Sequence, residues 1–207
     1  MPDLAALIDP RRTAVVTMEM QRGVVGDLAS IVELATAVAE HGLIGDVARL
    51  LHGARRADVT VVHATVSWRA DRRGTSLRSP MAAALARNPG QILHGTDAAE
   101  LVSELGPAES DLISHRGSGF TPFTGTNLDA ILRASGIETV IATGVSLNVG
   151  VLGLVLSAVD LGYRVVVPTD AVVGVPAHYA TEVLHHTIAP LAHLSSIGHI
   201  LEVWASR

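Results

Sequence analysis

Short, unbroken runs of β-branched and aliphatic residues alternate along the chain with stretches in which apolar residues recur every three or four positions. The runs Thr13–Met18 (TAVVTM), Val59–His63 (VTVVH), Asp111–Ser114 (DLIS), Thr139–Thr143 (TVIAT) and Arg164–Val167 (RVVV) predict strands buried on both faces. A strand with one wet face would alternate apolar with polar residues instead. A sixth, short strand is expected near His199–Trp204. Between the strands, Leu43, Val47, Leu50, Leu51 and Ala54 share one helical face, as do Leu128, Ile131 and Leu132, and Val151, Val155, Ala158 and Leu161. Gly136 and Gly162 follow the second and third of these helices as C′ glycines, and Pro176 fits the first turn of a helix running to about Ala189. This alternation predicts an α/β fold: a three-layer α/β/α sandwich around a mainly parallel, doubly wound six-stranded sheet. The longest irregular stretch is Ser67–Gly95, punctuated by Gly74, Pro80, Pro89 and Gly90. Loops of that length commonly serve a site or an interface.

Composition narrows the picture. A chain of 207 residues with 48% hydrophobic content is long enough for one well-buried core, so a single domain over residues 1–207 is expected. Only 3% of residues are aromatic, which suits close packing of helices on a sheet. The formal charge of -5 is spread without a basic stripe, which argues against nucleic acid as a partner. The cluster Arg69, Asp71, Arg72 and Arg73 reads as a solvated loop. Cysteine is absent, which excludes disulfides, thiolate metal sites and thiol catalysis. No apolar run approaches the roughly 20 residues needed to span a bilayer, so no membrane partner and a cytoplasmic location are expected. Helices rich in Ala, Gly and Val with few charges predict a homo-oligomer, a dimer or tetramer.

In an open α/β sheet the site lies beyond the carboxyl ends of the strands, at the topological switch point. That singles out Glu19–Gln21, His63–Trp68, Ser114–Phe120 and Thr143–Gly150. Glu19, a carboxylate at the end of an apolar strand, is expected to be partly desolvated, to have a raised pKa and to transfer a proton. Gln21 is expected to orient backbone beside the ligand. His115 or Arg116 offers a cation, arginine being suited to bidentate carboxylate binding. Ser114 and Ser118 stand in no strand–turn–helix elbow and have no matching His–Asp pair, which disfavours a hydroxyl nucleophile. His63 and Trp68 are expected near the ligand at the end of the second strand. The stretch Ile141–Leu152 joins a buried strand to an apolar helix, where amide N–H groups converge on developing negative charge. Asn148 and Gly150 stand in its first helical turn. It looks like a nucleophile turn without a nucleophile.

These strand ends together resemble the isochorismatase-like hydrolase family, also called the cysteine hydrolases. Ala14–Gln21 (AVVTMEMQ) is similar to the family's first strand ending in Asp-Met-Gln. Arg116-Gly117-Ser118-Gly119-Phe120 and Gly125-Thr126-Asn127-Leu128 resemble Lys-x-Arg-x-Ser-x-Phe and Gly-Thr-x-Leu, and the segments from Thr143 to Tyr163 and Thr169–Ala171 resemble the surroundings of the nucleophile. The family uses an Asp to accept the thiol proton, a Lys to support developing charge and a Cys to attack. By resemblance those positions hold Glu19, Ser114 (or His115, one residue on) and Gly150. The resemblance also implies a cis peptide between Val145 and Ser146 and a metal-binding loop whose ligand positions hold Ser67 and Arg69. Neither is a good ligand, so neither metal nor cofactor is expected.

The expected function is therefore hydrolysis of a small, anionic molecule without a cysteine nucleophile. Glu19, His115 and Asn148 would carry the chemistry with water. Gln21, His63, Trp68, Arg116, Phe120, Gly144, Val145, Ser146 and Gly150 would surround the ligand. The alternative is an inactive family member that binds a small ligand or serves as an assembly subunit.

Overall fold

A computed structural model describes residues 3–88 and 92–206. Pro89 and Gly90, counted above with the irregular stretch, lie outside the described residues. Six strands, β1 (Thr13–Met18), β2 (Thr60–Val66), β3 (Leu112–Arg116), β4 (Thr139–Gly144), β5 (Arg164–Pro168) and β6 (His193–Ser195), form one sheet in the order β3-β2-β1-β4-β5-β6. All neighbouring pairs are parallel. The chain winds outward from β1 in one direction to β3 and from β4 in the other to β6, so the switch point falls between β1 and β4.

The sheet is covered on both faces, as strand composition predicts. Every residue of β1 and β4 is buried. Side-chain alternation sends Val15, Val61, Ile141 and Val166 into one core, against α1 (Leu4–Leu7), α2 (Val32–Glu40), α3 (Leu43–Arg56) and α8 (Ile197–Ala205). It sends Ala14, Val16, Met18, Val62, Val140 and Ala142 into the other, against α5 (Leu128–Ala134), α6 (Leu152–Asp160) and α7 (Ala177–Glu182). The remaining helix, α4 (Pro80–Arg87), lies inside the stretch read as irregular. Ser79 starts it, its hydroxyl accepting the Ala82 N–H at 3.1 Å. Gly136 and Gly162 follow α5 and α6 with φ of 66° and 88°, the left-handed conformation that a C′ glycine adopts.

The sixth strand is displaced from its expected place. Residues 199–204 are helical, and β6 is His193–Ser195. Ile197, Ile200 and Trp204 recur on one helical face and enter the first core. Helix α8 is held at its start by Asp170, whose carboxylate accepts the Ile197 N–H at 2.9 Å, and at its end by the Trp204 indole donating to Ile8 O at 3.0 Å. Strand β2 also runs further than expected, so His63 falls mid-strand rather than at its end.

His63 belongs to a buried network. Its Nδ1 pairs with the Thr17 hydroxyl at 2.8 Å and its Nε2 with Asp111 at 3.3 Å, while Arg55 clamps both Asp111 oxygens at 3.1 and 2.6 Å. Burial pushes the imidazole below its ordinary 6.5, although Asp111 pulls the other way. Burial alone would raise the Asp111 carboxyl, but Arg55, the Ala108 N–H and His63 hold it below its ordinary 3.8. Both groups bind a proton more readily in the unfolded chain, so both make stability fall as pH falls: His63 below 6.5, then Asp111 below 3.8. We expect the urea midpoint to decline between pH 7.5 and 5.5, and the decline to be smaller in His63→Gln.

Candidate functional site

The carboxyl ends of β1, β2, β3 and β4 open into a cleft of about 240 Å³, roofed by α2, α4 and the turn that precedes α2. Glu19 follows β1 directly. Its φ of 55° is left-handed, uncommon outside glycine, and turns the chain sharply away from the sheet while its N–H still donates to Ala64 O at 3.0 Å. The carboxylate thus leaves the strand direction and enters the cleft.

Arg116, the last residue of β3, meets it there. The Arg116 Nη2 and Glu19 Oε1 form an ion pair across the end of β2, and Arg116 Nε donates to Gly119 O at 3.2 Å. The arginine side chain is 3% exposed and that of Glu19 19%. Burial lowers the guanidinium to about 10, which leaves it charged at neutral pH. A guanidinium in contact favours the ionised carboxylate. Glu19, expected as a partly desolvated carboxylate facing the cleft, thus stands there in contact with a cation. The third nitrogen, Arg116 Nη1, is buried and has no hydrogen-bond partner.

Alternation along β3 decides which of its side chains take part. Ser114 and Arg116 face inward, while His115 is exposed on the other side and shares a hydrogen bond of 2.7 Å with the Ser67 hydroxyl. His115 does not line the cleft. Nor does Ser114, whose buried hydroxyl has no partner.

The turn after β4 forms the floor. Gly144, with φ of 101°, lets β1 approach so closely that a Cβ there would collide with the Met18 backbone. The Val145–Ser146 peptide is cis, as the resemblance implied, and Leu147–Val151 form a π-helical turn leading into α6. The Asn148 side chain is bonded at both ends: Oδ1 accepts the Ser146 hydroxyl at 2.6 Å and Nδ2 donates to Val175 O at 3.1 Å. It fastens the turn to the loop after β5, and Asn148 also lines the cleft with one Nδ2 N–H left over. A Cβ on Gly150 would stand 2.9 Å from both Met18 Cε and Val145 O. A side chain at the nucleophile position would thus be crowded by the buried Met18 and by the Val145 carbonyl.

Of the other expected ligand contacts, Trp68, Phe120 and Ser146 line the cleft with Arg116 and Gly150. Gln21, His63, Gly144 and Val145 do not. Gln21 is wholly buried, its amide accepting Val66 N–H at 2.8 Å and donating to Val66 O at 2.9 Å and Ala99 O at 2.7 Å, so it acts as a strand-edge brace. His63 is 1% exposed, inside the network beneath the sheet end. Gly144 and Val145 are packed against β1. Sequence reading missed Ile31, Leu34, Met81 and Leu85, which supply the apolar walls. Met81 and Leu85 have helical spacing within the loop flagged as site-serving, the one signal that could have found them.

Ser67, at an implied metal-ligand position, pairs with His115, and Arg69 pairs with Asp71 at 2.7 Å. Among the described residues, no group of three or more His, Cys, Asp or Glu stands close enough to hold a metal ion.

Residues 13–197 match the isochorismatase domain model, nearly the whole chain. The chain belongs to the isochorismatase family. Among isochorismatase relatives it is 34% identical over 98 residues to YecD, an uncharacterized family protein of Escherichia coli O157:H7, a match covering 47% of this chain and 51% of YecD. The chain thus spans about half the length of that relative. It is 29% identical over 185 residues to the ureidoacrylate amidohydrolase RutB of Rhizobium rhizogenes, covering 79% of this chain and 71% of that protein. The fold superposes on a cysteine hydrolase from Pseudomonas syringae pv. phaseolicola with a TM-score of 0.79 at 22% identity, covering 97% and 95% of the two chains. In this isochorismatase-family cleft the cation that touches Glu19 comes from Arg116, two residues beyond the position where the resemblance puts the family lysine.

Removing one member of a buried ion pair strands the other. Glu19→Met should cost about 3 kcal/mol or more, and the double change Glu19→Met/Arg116→Met should recover most of it, as measured by urea unfolding. Gly150→Cys should fold with a loss of about 1–3 kcal/mol from crowding. Its thiol should react slowly with Ellman's reagent, and Met18→Ala in the same chain should speed that reaction.

Proposed function

We propose that the chain is a water-using hydrolase of small molecules in which Glu19 handles the proton. The observation that carries this reading is the Glu19 carboxylate, in direct contact with Arg116 and open to the cleft. A carboxylate held in that state is a general base: it draws a proton from a water molecule as the water attacks, and returns it to the leaving group. Arg116 limits the basicity of Glu19 but stabilises negative charge that builds beside it. With no cysteine in the chain, no thioester route is open. Ser146, Asn148 and Gly150 line the same cleft as Glu19. They are suited to receive an oxygen that gains charge. Bonds that break after water attack, such as those of activated esters, fit this equipment better than unactivated amides.

A second reading, a family member that binds without turning over, draws support from Gly150. Met18 crowds the reacting position, and the Asn148 amide is held by its neighbours. Turnover decides between the two. Purified protein should hydrolyse at least one member of a panel of vinyl ethers, aryl esters and amides, and Glu19→Gln should lower kcat by about 100-fold or more while a folded near-ultraviolet circular dichroism spectrum persists. Turnover that survives in folded Glu19→Gln rules out the proton-handling role; an inert wild-type protein that still binds small molecules favours the second reading.

A further inference from the structure

From the charge and lining of the cleft we infer that its ligand is uncharged and mainly apolar, with one hydrogen-bond acceptor that meets Arg116, and not the anionic metabolite that a free arginine would select. The inference rests on the cleft being the working site, as the proposed function holds, but not on catalysis taking place there.

Three observations carry it. Glu19 and Arg116 are the only charged residues among the described residues lining the cleft, and they neutralise each other in direct contact. An anionic head placed against the guanidinium would have to displace or lie beside the Glu19 carboxylate, and a cationic head would face Arg116. Either loses its water without a net counter-charge, a loss that buried ions seldom recover. A neutral oxygen has no such conflict.

Arg116 also has a donor to give. Nη2 is engaged with Glu19 and Nε with Gly119 O, whereas Nη1 is buried without any acceptor. An unmade hydrogen bond on a buried charged group is costly, so a carbonyl or ether oxygen reaching Nη1 would gain more than it would on an exposed arginine. One acceptor is all that this donor calls for.

The walls supply the rest of the recognition. Leu34, Leu85 and Phe120 line the cleft, and so do Ile31 and Met81, which remain 38% and 47% exposed. Apolar side chains thus predominate in the lining, beside Ser30, Asn88, Ser146 and Asn148, and Ile31 before α2 and Met81 on α4 reach solvent. A ligand with its polar end at Arg116 would bury an apolar body along these side chains. At about 240 Å³ the cleft is slightly smaller than sites for drug-sized molecules, which fits a short chain or a single ring.

Matched probes test this by isothermal calorimetry at pH 7. Hexanamide should bind at least about tenfold more tightly than hexanoate or hexylammonium, which share its chain and differ in head charge, and at least about tenfold more tightly than acetamide, which lacks the chain. Met81→Asp, a change at an exposed position of α4, should weaken hexanamide by about tenfold with the melting temperature unchanged. Hexanoate binding as tightly as hexanamide, acetamide binding equally well, no saturable hexanamide binding at millimolar concentration, or indifference to Met81→Asp would each overturn the inference. Hexanamide binding by a protein that turns over no substrate sinks the catalytic reading alone. Hydrolysis confined to anionic substrates, with hexanoate the better competitor, sinks this inference alone.

Discussion

A guanidinium withdrawn almost wholly from water must find a counter-charge, and Arg116 finds it in Glu19. That pair ties the end of β3 to the end of β1 across β2 and sets the character of everything above it. It sets the two opposite charges of the floor against each other. It also depends on two backbone facts: β3 presents alternate residues inward, and Glu19 adopts a left-handed turn directly after β1. The electrostatics of the cleft therefore follow from sheet geometry.

The other side of the floor is governed by packing. Gly144 permits contact between the backbones of β4 and β1, and Met18, the last residue of β1, consequently lies over Gly150. Asn148 and Gly174 interlock the turn with the loop after β5, for a Cβ on Gly174 would stand 2.7 Å from the asparagine Oδ1. The result is a turn braced on two sides, with the reacting side chain absent and its space partly taken by a methionine. Glycine at this place is consequently built into the surrounding structure, and a side chain placed there is crowded by Met18 and Val145.

Much of the fold was legible because strand burial is a local property. Runs such as TAVVTM and TVIAT have no polar face, so they had to be covered on both sides, and β1 and β4 are. The misplaced sixth strand shows where that reasoning stops. The segment near Trp204 is apolar and short, and only the placement of Ile197, Ile200 and Trp204 against the first core, with Asp170 holding the Ile197 N–H, makes it a helix. The site was legible in outline, through strand ends and the glycine turn. His63, His115 and Gln21 were drawn into it by proximity in sequence, yet alternation and buried partners turn each of them elsewhere.

By itself, the sequence determined a doubly wound α/β sheet, the absence of any thiol, and a glycine where the family nucleophile stands. Periodicity, composition and single positions suffice for these, because each is decided within a few residues. Only the tertiary structure decided that Arg116 neutralises Glu19, 97 residues away, and that α2 and α4 close an apolar cleft above them. Such contacts depend on strand order and on the direction each side chain takes from the sheet, and no local pattern encodes either.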